Sequence, residues 1–543
     1  MPADFDGVLQ EVGEFGRYQR LIVWLLCVPT CFVNAFNGFV FVFQAYTPEF
    51  RCQSEAALNA SLTENGTEFN DQCFAEDLVN GSLVQSPCHG YVYNQNYFRA
   101  TLITDWDLVC DRAIVWKNVL SFLNAVAIAG CFLYSYIQDR WGRKSCFLLS
   151  IAAYLFGGIA SLFAGSPIWF TALRAPWSLG GISTWNIGYI WALEYVGPSK
   201  RAYVTSVLSV LYGVAAVFLA LLAWLSPTWV ELGLMTTVPF VLLFTYYFFI
   251  DESPRWLLAQ GRRAEAAKTL QKMARWENMP PLSSETLKSL LTEKETVKLP
   301  KDMEKPKRCG GLVLFELFRQ HNIRWKTVLI TYTWISISVV YNAIAYNVEN
   351  LGGNLYVTYV LQAAVEIPAN ILVLPALNRY GRLAPLFFSM LAAGVFSFGA
   401  IPAQLAAGEW GVIMAATASK FAICLSYCCI TLLAGELYPT TVRGLGTGFS
   451  SALGDMGNIF MPYIVHSATV YEMLPMIILG TMSVLGALGC LFLPETKDQY
   501  LPETVDEAEL HGLVRMETFK KNWAKFFYWT RRCRSVVSTS VPS

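Results

Sequence analysis

From Leu21 onward the chain alternates between long apolar runs and short polar punctuation. Twelve runs stand out: Leu21–Phe43, Trp116–Ile137, Cys146–Ala164, Ile168–Tyr195, Ala202–Leu225, Val230–Ile250, Lys326–Val348, Asn354–Leu377, Ala384–Leu405, Gly411–Leu437, Gly444–His466 and Leu474–Leu493. Each has the length of a bilayer-crossing helix. The first run follows an acidic stretch, "MPADFDGVLQEVGEFG", and is too long for a cleavable signal peptide. The pattern predicts an all-α polytopic membrane protein.

Composition agrees: 54% of the 543 residues are hydrophobic and only 15% charged, against about a quarter charged in soluble domains. Charge then sets the orientation. Basic residues follow runs 2, 4, 6, 8 and 10, with sixteen Lys and Arg between Arg255 and Lys326. The short loops on the opposite side have none, and the long one, 44–115, has three. By the positive-inside rule both termini are cytoplasmic. The long outer loop carries three sequons, at Asn59, Asn65 and Asn80, and four cysteines, Cys52, Cys73, Cys88 and Cys110. In an oxidising compartment these predict a glycoprotein with two disulfides, in any of three pairings. This loop is also the surface through which a homo-oligomer would form.

Three motif pairs repeat. Asp139-Arg-Trp-Gly-Arg143 matches Asn378-Arg-Tyr-Gly-Arg382, 239 residues on. "EYVGPSKR", Glu194 to Arg201, matches "ELYPTTVR", Glu436 to Arg443, at 242. "ESPR", Glu252 to Arg255, matches "PET" around Glu495, with the glutamates 243 apart. Near-constant offsets mean two six-helix halves in parallel orientation, the plan of a transporter that rocks about a central site. The division is 1–20 N-terminus, 21–250 first half, 251–325 cytoplasmic linker with a helix over Ala264–Met273, 326–493 second half and 494–543 tail. Asp139, Arg140, Arg143, Glu194, Arg201, Glu252, Arg255, Arg379, Arg382, Glu436, Arg443 and Glu495 form the candidate cytoplasmic gate, its charges pairing across the halves when that side is closed. The tail, "METFKKNWAKFFYWTRRCR", reads as a basic aromatic helix for the anionic leaflet.

Two carboxylates lie deep in apolar runs. Asp455 is the twelfth residue of run 11, and at 1.5 Å per residue it sits near the midplane. Glu366 lies similarly deep in run 8. Such a charge costs about 2.5–3.5 kcal/mol on insertion scales, so it faces a wet cavity or a partner. Lys420 in run 10 is a candidate partner for Asp455; Arg174 lies near the outer end of run 4. Without such pairing, the negative cavity attracts a cation and replaces its hydration with carboxylate and aromatic faces. Trp334 and Tyr341 are seven apart in run 7 and share a helix face. The chain has no Gly-x4-Gly-Lys-Ser/Thr loop, no His-Glu-x-x-His and no convincing triad, so neither an ATPase nor another enzyme is expected, nor a metal, a cofactor or nucleic-acid binding.

The motifs "DRWGRK", "ESPRWLL" and "PET" resemble the major facilitator superfamily. The long cysteine-bearing loop and run 7 depart from its sugar porters. From "VGEFGRYQR" through "ATLITDWDLVC" and "GELYPTTVRG" to "LPETKDQYLPET", nearly the whole chain resembles the organic cation, anion and zwitterion transporter family, closest to its cation branch. The resemblance implies the major facilitator fold with twelve transmembrane helices. It also implies a plasma-membrane location, and substrate-binding roles for Asp455, Glu366, Trp334, Tyr341 and Trp185. Ile182 stands where cation-branch members often have a lysine, which makes the cavity more negative. "RAPWS", Arg174 to Ser178, replaces the family's Arg-x-x-Gln-Gly. The expected function is potential-driven uniport or exchange of small organic cations: amines, quaternary ammonium compounds or imidazole metabolites. The alternatives are a Na⁺- or H⁺-coupled carrier of zwitterions such as carnitine, and a non-transporting receptor or scaffold.

Overall fold

All twelve apolar runs carry helix in the computed structural model, which describes residues 9, 15–52, 73–79, 82–88, 90–277, 318–439, 443–497, 507, 509 and 522. The three sequon asparagines, most of the linker and all of the basic aromatic tail but Asn522 lie outside the described residues. The described α-helices of more than four residues are α1 Arg17–Gln44, α2 Ala113–Trp141, α3 Arg143–Ala160, α4 Pro167–Glu194, α5 Pro198–Leu225, α6 Trp229–Thr237, α7 Pro254–Ala259, α8 Arg263–Trp276, α9 His321–Tyr346, α10 Leu355–Ala364, α11 Glu366–Tyr380, α12 Leu383–Leu437, α13 Arg443–Met456, α14 Met461–His466 and α15 Leu474–Cys490. Eight described helical runs are long and apolar enough to cross a membrane. One of them, α12, spans two of the apolar runs. Its only non-helical backbone position is Gly408, with φ 60° and ψ −146°, a conformation glycine adopts at little cost.

Three apolar runs are broken rather than continuous, and each break has a proline. In run 6, α6 passes at Pro239 into a 3₁₀ stretch, Val238–Thr245. Run 8 divides into α10 and α11 just before Pro368. Run 11 divides into α13 and α14 around the 3₁₀ turn Gly457–Ile459, just before Pro462. Proline supplies no N–H and clashes with the carbonyl four residues back, so the ladder fails there. The last two breaks fall beside Glu366 and Asp455. Broken helices at membrane depth are tolerated where they line a cavity or are buried in protein.

The chain forms two compact units: Trp24–Ala192 with Ala215–Ser253, and Met1–Val23 with Leu193–Val214 and Pro254–Ser543. The first holds the outer loop, which contains two small antiparallel ladders not foreseen in the sequence. β1 Phe50–Cys52 pairs with β4 Tyr91–Tyr93, and β2 Phe74–Val79 with β3 Ser82–Pro87. The disulfides are Cys52–Cys88 and Cys73–Cys110, one of the three pairings left open. The "TLITDWD" segment anchors this loop. Thr101 and Thr104 close a capping box over buried Leu102 and Ile103, and Trp229 Nε1 donates to Asp105 Oδ2 at 2.7 Å. In the same unit Arg174 is fully buried. Its guanidinium lies 3.8 Å from the Trp177 ring centroid and donates to Ser161 Oγ and Gln44 Oε1, while its Nε has no hydrogen-bond partner among the described residues. The second unit contains the linker helix α8, slightly longer than expected, and the two deep carboxylates.

Candidate functional site

Four of the five expected substrate residues lie in the second unit, and three helices bring them together. α9 supplies a polar face: Trp334, Ser338, Tyr341 and Asn342 follow each other at turn spacing. α13 packs against it through Gly454, where an added Cβ would lie 2.9 Å from Trp334 Cβ and 3.2 Å from Trp334 C. Only a missing side chain permits that approach. It delivers the next residue, Asp455, to Ser338, whose hydroxyl donates to Asp455 Oδ1 at 3.1 Å. Asp455 remains partly exposed.

Ser338 is itself oriented. Asn458, in the 3₁₀ turn after α13, donates from Nδ2 to Ser338 Oγ at 3.0 Å. Asn342 Nδ2 donates to Asn458 Oδ1 at 3.3 Å and to the Ser338 carbonyl at 2.9 Å. The polarity runs one way, from Asn342 through Asn458 and Ser338 to Asp455, and ends on an acceptor-only carboxylate. Neither asparagine nor Ser338 was singled out in the sequence. Their signal was there as polar residues spaced by one turn in an apolar run.

Glu366 sits in different surroundings. It is buried at the start of α11, and Tyr341 donates its hydroxyl to Glu366 Oε1 at 2.8 Å. Lys420 from α12 pairs with the same oxygen at 3.2 Å. Lys420 Nζ also donates to the Tyr341 carbonyl at 2.9 Å and lies over the Tyr341 ring. Lys420 is therefore bound to Glu366, and the pairing with Asp455 weighed from sequence gives way to this one. The reason is reach: the helix break places Glu366 beside α12, while Asp455 turns toward α9. The Tyr212 and Tyr341 side chains are hydrogen-bonded to each other. Tyr427 of α12 meets both Trp334 and Tyr341, at ring-centroid distances of 5.4 and 5.9 Å. The result is an aromatic wall with one neutralised carboxylate and one accessible carboxylate. Trp185 belongs to the first unit, where it stacks on Tyr189. Among the described residues no group of His, Cys, Asp and Glu has a metal-holding arrangement.

The repeated charges are organised alike in each unit. Gly142 and Gly381 both turn at positive φ, 95° and 93°. Glu252 accepts the backbone N–H of Arg143 and Lys144. Glu495 accepts those of Arg382 and Leu383. Arg143 donates to the Gln138 carbonyl and Arg382 to the Leu377 carbonyl, five residues back in each case. Arg143 pairs with Asp139 at 3.3 Å and Arg382 with Glu436 at 3.0 Å. Burial pushes the Glu252 carboxyl above its ordinary value, against the pull of its N–H donors and Arg143. Arg140 donates to the Tyr136 hydroxyl, Arg379 lies 5.4 Å from the Tyr380 ring, and Arg443 donates to the Tyr438 carbonyl. Glu194, Arg201 and Arg255 fall in the second unit.

The sugar (and other) transporter family matches residues 30–507. An organic cation transporter protein of Drosophila melanogaster is 32% identical over 94% of this chain and 95% of its own. A beta-alanine transporter of the same organism is 31% identical, over 93% of this chain and 89% of its own. Among solved structures, the xylose transporter of E. coli in a partially occluded, inward-open conformation superposes with a TM-score of 0.57. It covers 92% of this chain and 99% of its own at 14% identity, a likeness of fold.

Proposed function

The chain belongs to the sugar (and other) transporter family, and within it to the organic cation transporters and their relatives; from that membership we propose that it moves small organic cations across the plasma membrane by alternating access. It is a multi-pass membrane transporter of small molecules and not an enzyme.

The observation that carries the cation reading is the contrast between the two deep carboxylates. Glu366 is neutralised by Lys420, whereas Asp455 is partly exposed and held by the neutral hydroxyl of Ser338. Asp455 is the substrate's counter-charge, and Trp334, Tyr341 and Tyr427 offer ring faces to an ammonium or imidazolium. Glu366 supports Tyr341 more than it meets the substrate. Trp185, stacked on Tyr189, is the fifth residue proposed to meet the substrate. The repeated charges form the gate on the cytoplasmic side, where both termini lie. Any homo-oligomer contact falls on the outer loop. The membrane potential suffices as driving force: about 2.3 kcal/mol per charge per 100 mV, more than tenfold accumulation. Uniport or exchange therefore needs no coupling ion.

The name of the beta-alanine transporter raises a second reading, a coupled zwitterion carrier. A zwitterion's carboxylate needs a cationic partner, and the deep lysine, Lys420, is already committed to Glu366 and the Tyr341 carbonyl. The cation reading is the stronger.

The test is uptake of labelled cations, zwitterions and anions into expressing cells, with Asp455→Asn and Asp455→Arg alongside. Cations should enter, depolarisation should slow them, and both variants should lose uptake while reaching the surface. Cation uptake that survives both changes rejects Asp455 as counter-charge, and currents that vanish on Na⁺ or H⁺ replacement reject uniport.

A further inference from the structure

Between α11 and the two limbs of α12 lies a cavity of about 700 Å³ that includes none of the substrate residues. That is within the roughly 300–1,000 Å³ of small-molecule pockets. Its walls are apolar: Val373 and Ala376 from α11, Phe388 and Phe396 from the first limb of α12, Phe421 and Leu425 from the second. One end is charged, lined by Arg379, Glu495 and Lys497.

The charges at that end are not equivalent. Glu495 accepts backbone N–H groups from Arg382, Leu383, Thr496 and Lys497. Its carboxylate is thus occupied inside the protein. Lys497 Nζ donates to the Asn378 and Arg379 carbonyls and is held at the end of α11. Arg379 is exposed beside the Tyr380 ring. The end therefore offers two cations against one carboxylate whose oxygens are already in use. On the α11–α12 surface, Phe396 is 43% exposed and Ile371 57%; in a membrane-spanning chain these faces meet hydrocarbon.

Apolar walls, a cationic end and a mouth toward hydrocarbon fit one occupant of a bilayer. We propose that this cavity binds an anionic phospholipid, with its phosphate at Arg379 and Lys497 and one acyl chain along Phe388, Phe396 and Phe421. Anionic lipids populate the cytoplasmic leaflet, the side on which the reading above puts Arg379. The lipid touches α11, both limbs of α12 and the segment whose Glu495 staples the α11–α12 turn. It thereby braces one end of the second unit.

Native mass spectrometry of the purified full chain tests this, with phosphatidylserine, phosphatidylcholine and the headgroup fragment glycerol 3-phosphate as probes. Wild type should retain phosphatidylserine about thirtyfold over phosphatidylcholine, about fivefold for each of the two basic contacts. Arg379→Gln should lower that preference about fivefold. Ala392→Phe, which fills the wall without changing a charge, should abolish retention of phosphatidylserine, and glycerol 3-phosphate should not compete. Equal retention of the two lipids by wild type, unchanged retention by Ala392→Phe, or competition by glycerol 3-phosphate would each overturn the proposal. A photoactivatable phosphatidylserine asks the same question without a variant. Label on Phe396, Phe421 or Leu425 supports the site, and label confined elsewhere overturns it.

Discussion

Lys420 Nζ lies 3.2 Å from Glu366 Oε1, with the two side chains 1% and 3% exposed. The pair closes on itself through Tyr341, which gives its hydroxyl to Glu366 and accepts from Lys420 at its carbonyl. Two formal charges thus offset each other, which is why the proposal above gives the role of counter-charge to Asp455 and not to Glu366.

Removing one member of such a pair leaves an uncompensated buried charge, at a cost of about 3–5 kcal/mol, while replacing both with groups of similar volume is often neutral. Lys420→Ala and Glu366→Ala should each collapse surface expression, and Lys420→Met with Glu366→Gln should restore most of it. Surface biotinylation and melting in detergent, across both singles and the double, measure this. A double variant as poor as the singles would mean that the pair does more than neutralise itself.

Gly454→Ala tests how Asp455 is positioned. The added methyl would meet Trp334 Cβ at 2.9 Å and its backbone at 3.2 Å, and overpacking of this kind costs about 1–3 kcal/mol. α13 must shift from α9 and carry Asp455 off Ser338. Cation uptake at matched surface level should show a KM raised about tenfold. Unchanged kinetics would mean that the α9–α13 spacing does not set the site.

Much of this arrangement was legible in the sequence. The twelve runs were visible because a bilayer demands some twenty apolar residues at a stretch. The repeat was visible as spacing, and it holds atom for atom where Glu252 and Glu495 cap equivalent turns. Asp455 stood out because a lone charge in an apolar run has few reasons to be there. The partner of Lys420 did not, because chain order suggested the next helix, whereas breaks near Pro368 and Pro462 decide which way each carboxylate faces. Ser338, Asn342 and Asn458 were hidden because small polar residues are common in spans and acquire meaning only when paired across α9 and α13. Disulfide pairing needed the ladders that bring Cys52 near Cys88.

Glu252 gives a pH dependence with a definite sign. Burial raises its carboxyl in the folded protein, while the unfolded chain titrates near about 4.3. Between those values the native state holds a proton that the unfolded state has lost. Its contribution is fully present below the unfolded value and is lost as pH rises through the folded one. The melting temperature of wild type minus that of Glu252→Gln should therefore grow as pH falls from about 7 toward about 5. A difference that shrinks would mean that the backbone N–H groups of Arg143, Lys144 and Ser253 outweigh burial.

The relay that ends on Asp455 makes the last prediction. Asn458 Nδ2 donates to Ser338 Oγ and leaves the serine proton for Asp455 Oδ1; Asn342 fixes the Asn458 amide by donating to its oxygen. Losing one such hydrogen bond costs about 1 kcal/mol, so Asn458→Ala should raise KM for a cation about fivefold. Asn458→Asp should do worse, since a carboxylate cannot donate to Ser338 and repels Asp455. The deciding comparison is Asn458→Ala with Ser338→Ala together. If Asn458 acts only by aiming the serine, the double variant is no worse than Ser338→Ala alone. Losses that add would show that Asn458 reaches Asp455, or the substrate, by a route that bypasses Ser338.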